Sequence, residues 1–166
     1  NFPATITTML AIAASENNGA GIIYEGRNLT YNSLDRESRR VAAGLSALGI
    51  GLGDRVAFWL PNTPAYLTLY FACARIGAIA VAINTRYRAG EVEDVLGRTG
   101  AKALIMWPGF RGIDFRGILE KVDRAALDRL DTAILYSEDG APSSALPGVT
   151  RTVTYDSLFD SGICDT

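Results

Sequence analysis

The 166 residues predict an α/β fold, a mainly parallel sheet flanked by helices. Apolar runs of strand length begin near positions 56, 79, 103 and 133. Stretches of helix length lie between them, so strand and helix alternate every 25 to 30 residues or so, the spacing of βαβ crossovers. The composition agrees: 48% hydrophobic and 20% charged residues are those of a globular chain with a core, not of a disordered one.

Taken in order, Thr5 to Ala14 is apolar and helix-compatible, and Asn17-Asn18-Gly19 ends it. Ile22-Ile23-Tyr24 and Asn28-Leu29-Thr30-Tyr31 flank Glu25-Gly26-Arg27 and read as a hairpin. Thr30 is placed to cap the next helix. That helix sets Leu34, Val41, Ala42, Leu45 and Leu48 on one apolar stripe. Asp35, Arg36, Glu37, Arg39 and Arg40 are expected on its solvated face, and Gly49 at its C-terminal stop.

Arg55 to Leu60 is an apolar strand of the kind a parallel sheet buries, closed by Pro61. Thr63 caps a helix with Pro64 at its first position. Ala65 to Ala74 is almost wholly apolar, so this helix is expected to be buried on most sides. Ile79 to Ile83 reads as another buried strand. Ala89 to Arg98 is a helix with Val92, Val95 and Leu96 inward and Glu91, Glu93 and Asp94 near its start, where negative charge suits the dipole. Ala103 to Trp107 is a strand, Asp114 to Ala126 a helix, and Ala133 to Tyr136 a strand. A Ser-, Pro-, Gly- and Ala-rich loop covers Ser137 to Gly148, followed by a short edge strand over Val149 to Tyr155 and a helical turn over Asp156 to Asp160.

Charge and residue usage exclude several chemistries. Sixteen Lys+Arg against 18 Asp+Glu leave a net charge of −2, so nothing draws the chain to nucleic acid as a whole. Absence of histidine excludes Ser-His-Asp and Cys-His catalysis and His-ligated metal within these residues. The longest apolar run, Ala65 to Ile83, is split at Arg75-Ile76-Gly77 and is not a transmembrane segment. Cys73 and Cys164 are isolated thiols, which fits a cytoplasmic protein better than a secreted one.

Two segments invite a ligand. Gly49, Gly51 and Gly53 look at first like a dinucleotide loop, but they lie between a helix and a strand in the wrong order. They are expected to be a connection, with Asp54 and Arg55 setting the strand entrance. Neither lysine follows a glycine, so no Gly-Lys-Ser/Thr phosphate loop is present. Asn84-Thr85-Arg86-Tyr87-Arg88 is different, because it follows a strand and precedes a helix, where open α/β sheets gather ligands. Arg86 and Arg88 have the planar forks to clamp a phosphate. The plainer alternative pairs them with acids of the next helix or leaves them in solvent.

Several blocks in order carry a family resemblance. They are Leu29-Thr30-Tyr31-Asn32-Ser33-Leu34, Val41-Ala42-Ala43-Gly44-Leu45, Gly49 through Ala57, Leu60-Pro61-Asn62, and Arg75-Ile76-Gly77-Ala78-Ile79-Ala80-Val81-Ala82-Ile83-Asn84-Thr85-Arg86-Tyr87. Glu91 and Ala101-Lys102-Ala103-Leu104-Ile105 also fall in place. Together they resemble the start of the adenylate-forming acyl-CoA synthetases, well over about residues 5 to 107 and loosely beyond. Asn84 followed by Arg86 is more similar to acyl- and aryl-CoA ligases than to peptide-synthetase adenylation domains, which usually carry Asp after this strand. Thr85 stands where those ligases usually have Pro.

The resemblance implies that residues 1–166 are the first subdomain of an acyl-CoA synthetase-like N-terminal domain, with the C-terminal domain absent. The implied parent reaction is AMP-forming: a carboxylic acid attacks the α-phosphate of ATP, with magnesium, and the CoA thiol then displaces AMP. The phosphate-gripping Ser/Thr/Gly-rich loop, the ribose-binding Asp and the catalytic Lys of that family have no counterpart in these residues. No catalytic or metal residue is therefore carried over, no cofactor is expected to be bound by this chain alone, and it is expected to be inactive alone. Arg86 is carried over as a contact to the nucleotide phosphate of CoA. Self-association through apolar surface left uncovered is a further expectation. Two other readings stand beside this one: a non-catalytic α/β binding or interaction module, and the start of a peptide-synthetase-type adenylation domain.

Overall fold

The computed structural model describes residues 5–16, 19–138, 140, 146, 148–156 and 157–160. Helix α1 (Ile6–Glu16) precedes a hairpin of β1 (Gly21–Tyr24) and β2 (Arg27–Thr30). Glu25 and Gly26 both take positive φ, 48° and 75°, the backbone of a two-residue hairpin turn whose twist suits the flanking strands. Thr30 caps α2 (Tyr31–Ala47), its hydroxyl accepting from the Ser33 amide at 3.1 Å. At the other end Gly49 lies at φ 82°, its amide bonded to the Ser46 carbonyl and that of Ile50 to Leu45. This pair of bonds is the left-handed helix stop that glycine permits.

Strands β3 (Arg55–Trp59), β4 (Ile79–Ala82), β5 (Ala103–Met106), β6 (Thr132–Leu135) and β7 (Arg151–Thr154) form one sheet in the order β4-β3-β5-β6-β7. Every pairing in it is parallel. Helix α3 (Pro64–Ile76) connects β3 to β4, and α4 (Ala89–Thr99) connects β4 to β5. Thr63 caps α3 with Pro64 at its first turn, as its sequence predicts.

Alternation along the strands feeds two cores. Val56, Phe58, Ala103, Ile105 and Ile134 pack with α2 and α3. Ala57, Trp59, Leu104, Met106, Ala133 and Leu135 pack with α4 and with α5 (Phe115–Leu119). Both faces are covered, which is why the strands read as unbroken apolar runs rather than alternating ones.

Three expectations need correction. Asp35 is not on a solvated face. Its side chain is 16% exposed and pairs with the Arg75 guanidinium of α3, 13% exposed, which also donates to the Ser38 hydroxyl at 3.0 Å. The pair fastens α2 to α3, and a lone charge left there would be costly. Strand β4 is not buried: it is the outer strand beside β3, and Ile79 is 49% exposed. Helix α3 is covered on most sides, as its apolar run predicts: Ala65, Thr68, Leu69, Ala72 and Cys73 are buried, and Tyr70 is its one exposed residue. The helix expected over Asp114 to Ala126 is broken into α5 and a 3-10 turn at Arg124–Leu127. Asp123 causes the break, because its amide donates to Glu93 of α4 and its carboxylate caps the second turn.

Cys73 is buried, and burial pushes its thiol up to about 12, so it is an inert core side chain. Cys164 lies outside the described residues, as do Asn17 and Asn18 and part of the loop expected over Ser137 to Gly148. No helix among the described residues is long and apolar enough to cross a membrane.

Gly44 sits inside α2 against the backbone of Leu158, in the 3-10 turn Asp156–Asp160. A Cβ there would meet the Leu158 carbonyl oxygen and Cα. Alanine normally favours a helix interior by about 1 kcal/mol over glycine. Here the overpacking outweighs that gain, and Gly44→Ala is expected to lower stability by about 1–3 kcal/mol. Equilibrium denaturant unfolding measures it; a higher midpoint in the variant would show that the turn yields without cost.

Candidate functional site

Beyond the carboxyl ends of β3, β4 and β5 lies a cleft of about 930 Å³. Its position follows from topology. The chain passes from β3 out to β4 on one side, then returns to β5 on the other. The loops at the ends of the strands diverge there, and open α/β sheets bind ligands at such reversals. Leu60, Pro61 and Asn62 line the cleft after β3, Asn84, Thr85 and Arg86 after β4, and Trp107, Phe110 and Arg111 after β5. The tip of the hairpin adds Tyr24 and Glu25.

Arg86 is held by a loop that needs no proline. The Asn84 side-chain oxygen accepts from the Arg86 amide at 2.9 Å, and the Asn84 carbonyl accepts from Tyr87 at 3.0 Å. Trp59 Nε1 reaches the same carbonyl from β3 at 3.2 Å. Asn is suited to this turn because its side chain mimics a backbone acceptor. Arg88 is taken by the loop itself: its guanidinium donates to the carbonyls of Arg86 and Tyr87, and its amide to Glu91 at 3.0 Å. Those amide bonds hold the Glu91 carboxyl below its usual range. Arg88 is therefore a structural residue of the α4 start. Among the described residues the Arg86 guanidinium has no acidic partner, which removes the alternative that pairs it with α4.

Arg111 falls between the strand expected over Ala103 to Trp107 and the helix expected over Asp114 to Ala126, and the sequence motifs do not single it out. The rule that singled out Arg86, a cation just past a parallel strand, would have found it too. Its backbone is left-handed, at φ 53° and ψ 31°, between Gly109 and Gly112. Its guanidinium lies 5.2 Å from the Phe110 ring centre, a cation–π contact. Trp107 tilts against Phe110 at 5.2 Å and meets Tyr136 edge-on at 5.4 Å.

One carboxylate oxygen of Glu138 accepts from Tyr24 at 3.1 Å and from Tyr136 at 2.9 Å, tying the hairpin to the end of β6. Burial, then the Glu138 contact, raises both phenols above their ordinary value. They stay neutral hydrogen-bond donors near pH 7 and are not bases. The cleft thus presents two guanidiniums, Arg86 and Arg111, two carboxylates, Glu25 and Glu138, and the aromatic faces of Trp107 and Phe110, with the Tyr24 hydroxyl already donating to Glu138.

The glycines at 49, 51 and 53 lie at the opposite, amino end of the sheet. Asp54 accepts from the Gly51 amide at 2.9 Å and from Lys102 at 2.9 Å, while Lys102 also donates to the Gly49 carbonyl at 2.6 Å. The segment is a connection braced by Asp54, as expected. The Lys102 hydrogen bond, with smaller help from Gly51 and neighbouring charge, holds the Asp54 carboxyl below its ordinary value.

A family model described as AMP-binding enzyme matches residues 10–156. Over 135 residues the chain is 32% identical to a mitochondrial medium-chain acyl-CoA ligase of Pongo abelii, covering 81% of this chain and 21% of that protein. Over 132 residues it is 36% identical to an acyl-CoA ligase of Ajellomyces capsulatus, covering 80% and 20%. The chain therefore spans about a fifth of the length of these relatives. The solved anthranilate CoA ligase in complex with anthranoyl-AMP shares the fold, with a TM-score of 0.75 at 21% identity over 96% of this chain and 28% of that one.

Because the Asp54 value is lowered in the fold, its stabilisation is complete above the ordinary carboxylate range. It is lost as pH falls through the lowered folded value. The stability gap between wild type and Asp54→Asn is expected to be widest near pH 7 and to narrow below about pH 4. Denaturant unfolding at both pH values tests this, and a gap that widened in acid would contradict it.

Proposed function

This chain belongs to the AMP-binding enzyme family, and from that premise we propose that it is the first subdomain of an AMP-forming acid–CoA ligase. The parent reaction joins a carboxylic acid to ATP, releasing pyrophosphate and leaving an acyl-adenylate, and then exchanges AMP for the thiol of CoA. This chain's part is a packed α/β wall with the switch-point cleft in it. Arg86 contacts the nucleotide phosphate of CoA from the end of β4. ATP with magnesium and the acid are handled by residues beyond these, so the chain alone does no chemistry. A cytoplasmic setting belongs to this proposal, as does self-association of the isolated chain through Ile6, Met9 and Ile12 of α1 and the open edge at Ile79, all exposed.

The observation that carries the reading is the Arg86 guanidinium, without an ion pair among the described residues, in the cleft at the sheet's carboxyl end, within a match that spans residues 10–156. The structural residues around it support binding rather than reaction. Asn84, Trp59 and Tyr87 hold the loop, and the phenols nearby are neutral donors.

Two measurements test it. The isolated chain is expected to show no acid-dependent ATP–pyrophosphate exchange; measurable exchange would return the chemistry to these residues. In the full-length parent, Arg86→Ala is expected to raise KM for CoA by about tenfold, the value of one charged hydrogen-bonding contact. Adenylate formation should be nearly unchanged, and an equal loss in both half-reactions would remove the CoA role of Arg86.

A further inference from the structure

The hairpin of β1 and β2 is held differently at its two ends. Its strands pair with each other, apart from the five-stranded sheet, and no residue from Gly21 to Thr30 is buried. The base is locked to α2. There the Tyr31 amide donates to the Ala20 carbonyl at 3.0 Å, Thr30 caps the helix, and the Asn28 side chain donates to the Gly19 carbonyl at 2.8 Å. The tip reaches the sheet through the Tyr24 hydroxyl, which donates to Glu138 at 3.1 Å. Glu138 is exposed, and the same oxygen accepts from Tyr136 at 2.9 Å. It makes no ion pair among the described residues, so a neutral phenol rather than a salt bridge ties the tip down. An element with few buried apolar contacts opens at low free energy, and a single side-chain bond then weighs heavily in its position.

The place of that bond decides what it does. Beside the cleft lies a second pocket of about 420 Å³, lined by Arg27, Asn28 and Leu29 of the hairpin and by Tyr136 and Tyr155 at the ends of β6 and β7. Two residues line both cavities, Tyr24 and Glu138. Their hydrogen bond is the partition between the two. We infer that the hairpin is a strap, hinged at Thr30 and latched by Tyr24 on Glu138, whose release joins the pocket to the cleft. Latched, it confines a ligand to the space past β3, β4 and β5. Released, it opens one groove that continues past β6 and β7. The inference concerns access, holds for any occupant of the cleft and does not rest on the CoA reading.

The distance between two nitroxide labels reads the strap directly. One label is carried by Ile23→Cys on the hairpin, where the native side chain is 79% exposed, and the other by Lys121→Cys in the exposed turn after α5. The background carries Cys164→Ser, and Cys73 is buried. In the 166-residue chain pulsed electron paramagnetic resonance is expected to give one dominant distance. Tyr24→Phe keeps the ring and removes the donor. It is expected to raise the population at a second distance about tenfold, the effect of losing one hydrogen bond to a charged group. Glu138→Ala removes the acceptor and should release the strap to the same extent. The thermal midpoint should stay nearly unchanged in Tyr24→Phe, because the strap swings on an intact base. Acrylamide quenching of Trp107, which lines the cleft, should rise with the second population, Trp59 being fully buried. One unchanged distance in either variant overturns the latch. A midpoint lowered by several degrees in Tyr24→Phe, the mark of a hairpin that unfolds instead of swinging, overturns the strap. A second distance without added quenching overturns the joining of the two cavities.

Discussion

Strand β3 is the element on which the rest of the molecule depends. It pairs in parallel with β4 on one side and β5 on the other, and both of its faces are sealed. Val56 and Phe58 join the core beneath α2 and α3, while Ala57 and Trp59 join the one beneath α4 and α5. A strand flanked by consecutive partners on opposite sides forces the loops at its carboxyl end apart. The cleft is that separation, and its walls are the first residues past each of the three strands. Trp59 links core and site in one side chain: its ring fills the core against Phe115, and its Nε1 holds the Asn84 carbonyl that shapes the Arg86 loop.

Charge is distributed unequally between the two ends of the sheet. At the amino end Lys102 and Asp54 satisfy each other and the glycine connection. Across the helical layer Asp35, Arg75 and Ser38 do the same. At the carboxyl end Arg86 and Arg111 make no ion pair among the described residues, while Glu25 and Glu138 line the same cleft. An anion held there is therefore held by individual guanidinium contacts, not by the net charge of the chain. The Tyr24 and Tyr136 phenols at that end both donate to Glu138, and their raised values keep them from acting as bases near pH 7.

Exposed apolar side chains among the described residues are spread over α1, the hairpin at Ile23, the glycine connection at Leu52, α3 at Tyr70, the edge of β4 at Ile79 and the loop after it at Tyr87. A strand edge with a free row of amides and carbonyls, and with Ile79 on it, invites pairing. The first helix presents Ile6, Met9 and Ile12 in a run of three-residue steps. These are the surfaces a chain covering about a fifth of its relatives' length presents beside its own completed core.

The local elements were legible because their signals act over a few residues. Thr30 and Thr63 cap helices through amides three positions on, Gly49 stops one through the left-handed backbone, and Glu25-Gly26 turns a hairpin; each needs no distant partner. Alternating strands and helices likewise sufficed for the α/β class, and a cation just past a strand for Arg86. What depended on pairing across the chain was decided only in three dimensions. The amino acids of β4 are as apolar as those of a central strand, and only its place at the sheet edge exposes Ile79. Asp35 is a charged residue among the exposed Arg36, Arg39 and Arg40, and only the arrival of Arg75 from another helix draws it out of solvent. Asp123 breaks a helix because Glu93 of α4 reaches its amide. Arg111 lies 25 positions after Arg86, and strand order brings both to one cleft. Sequence determines what hydrogen bonds within a turn and hydrophobic period can specify; strand order and the meeting of distant charges belong to the packed whole, because their free energies exist only once the sheet has closed around β3.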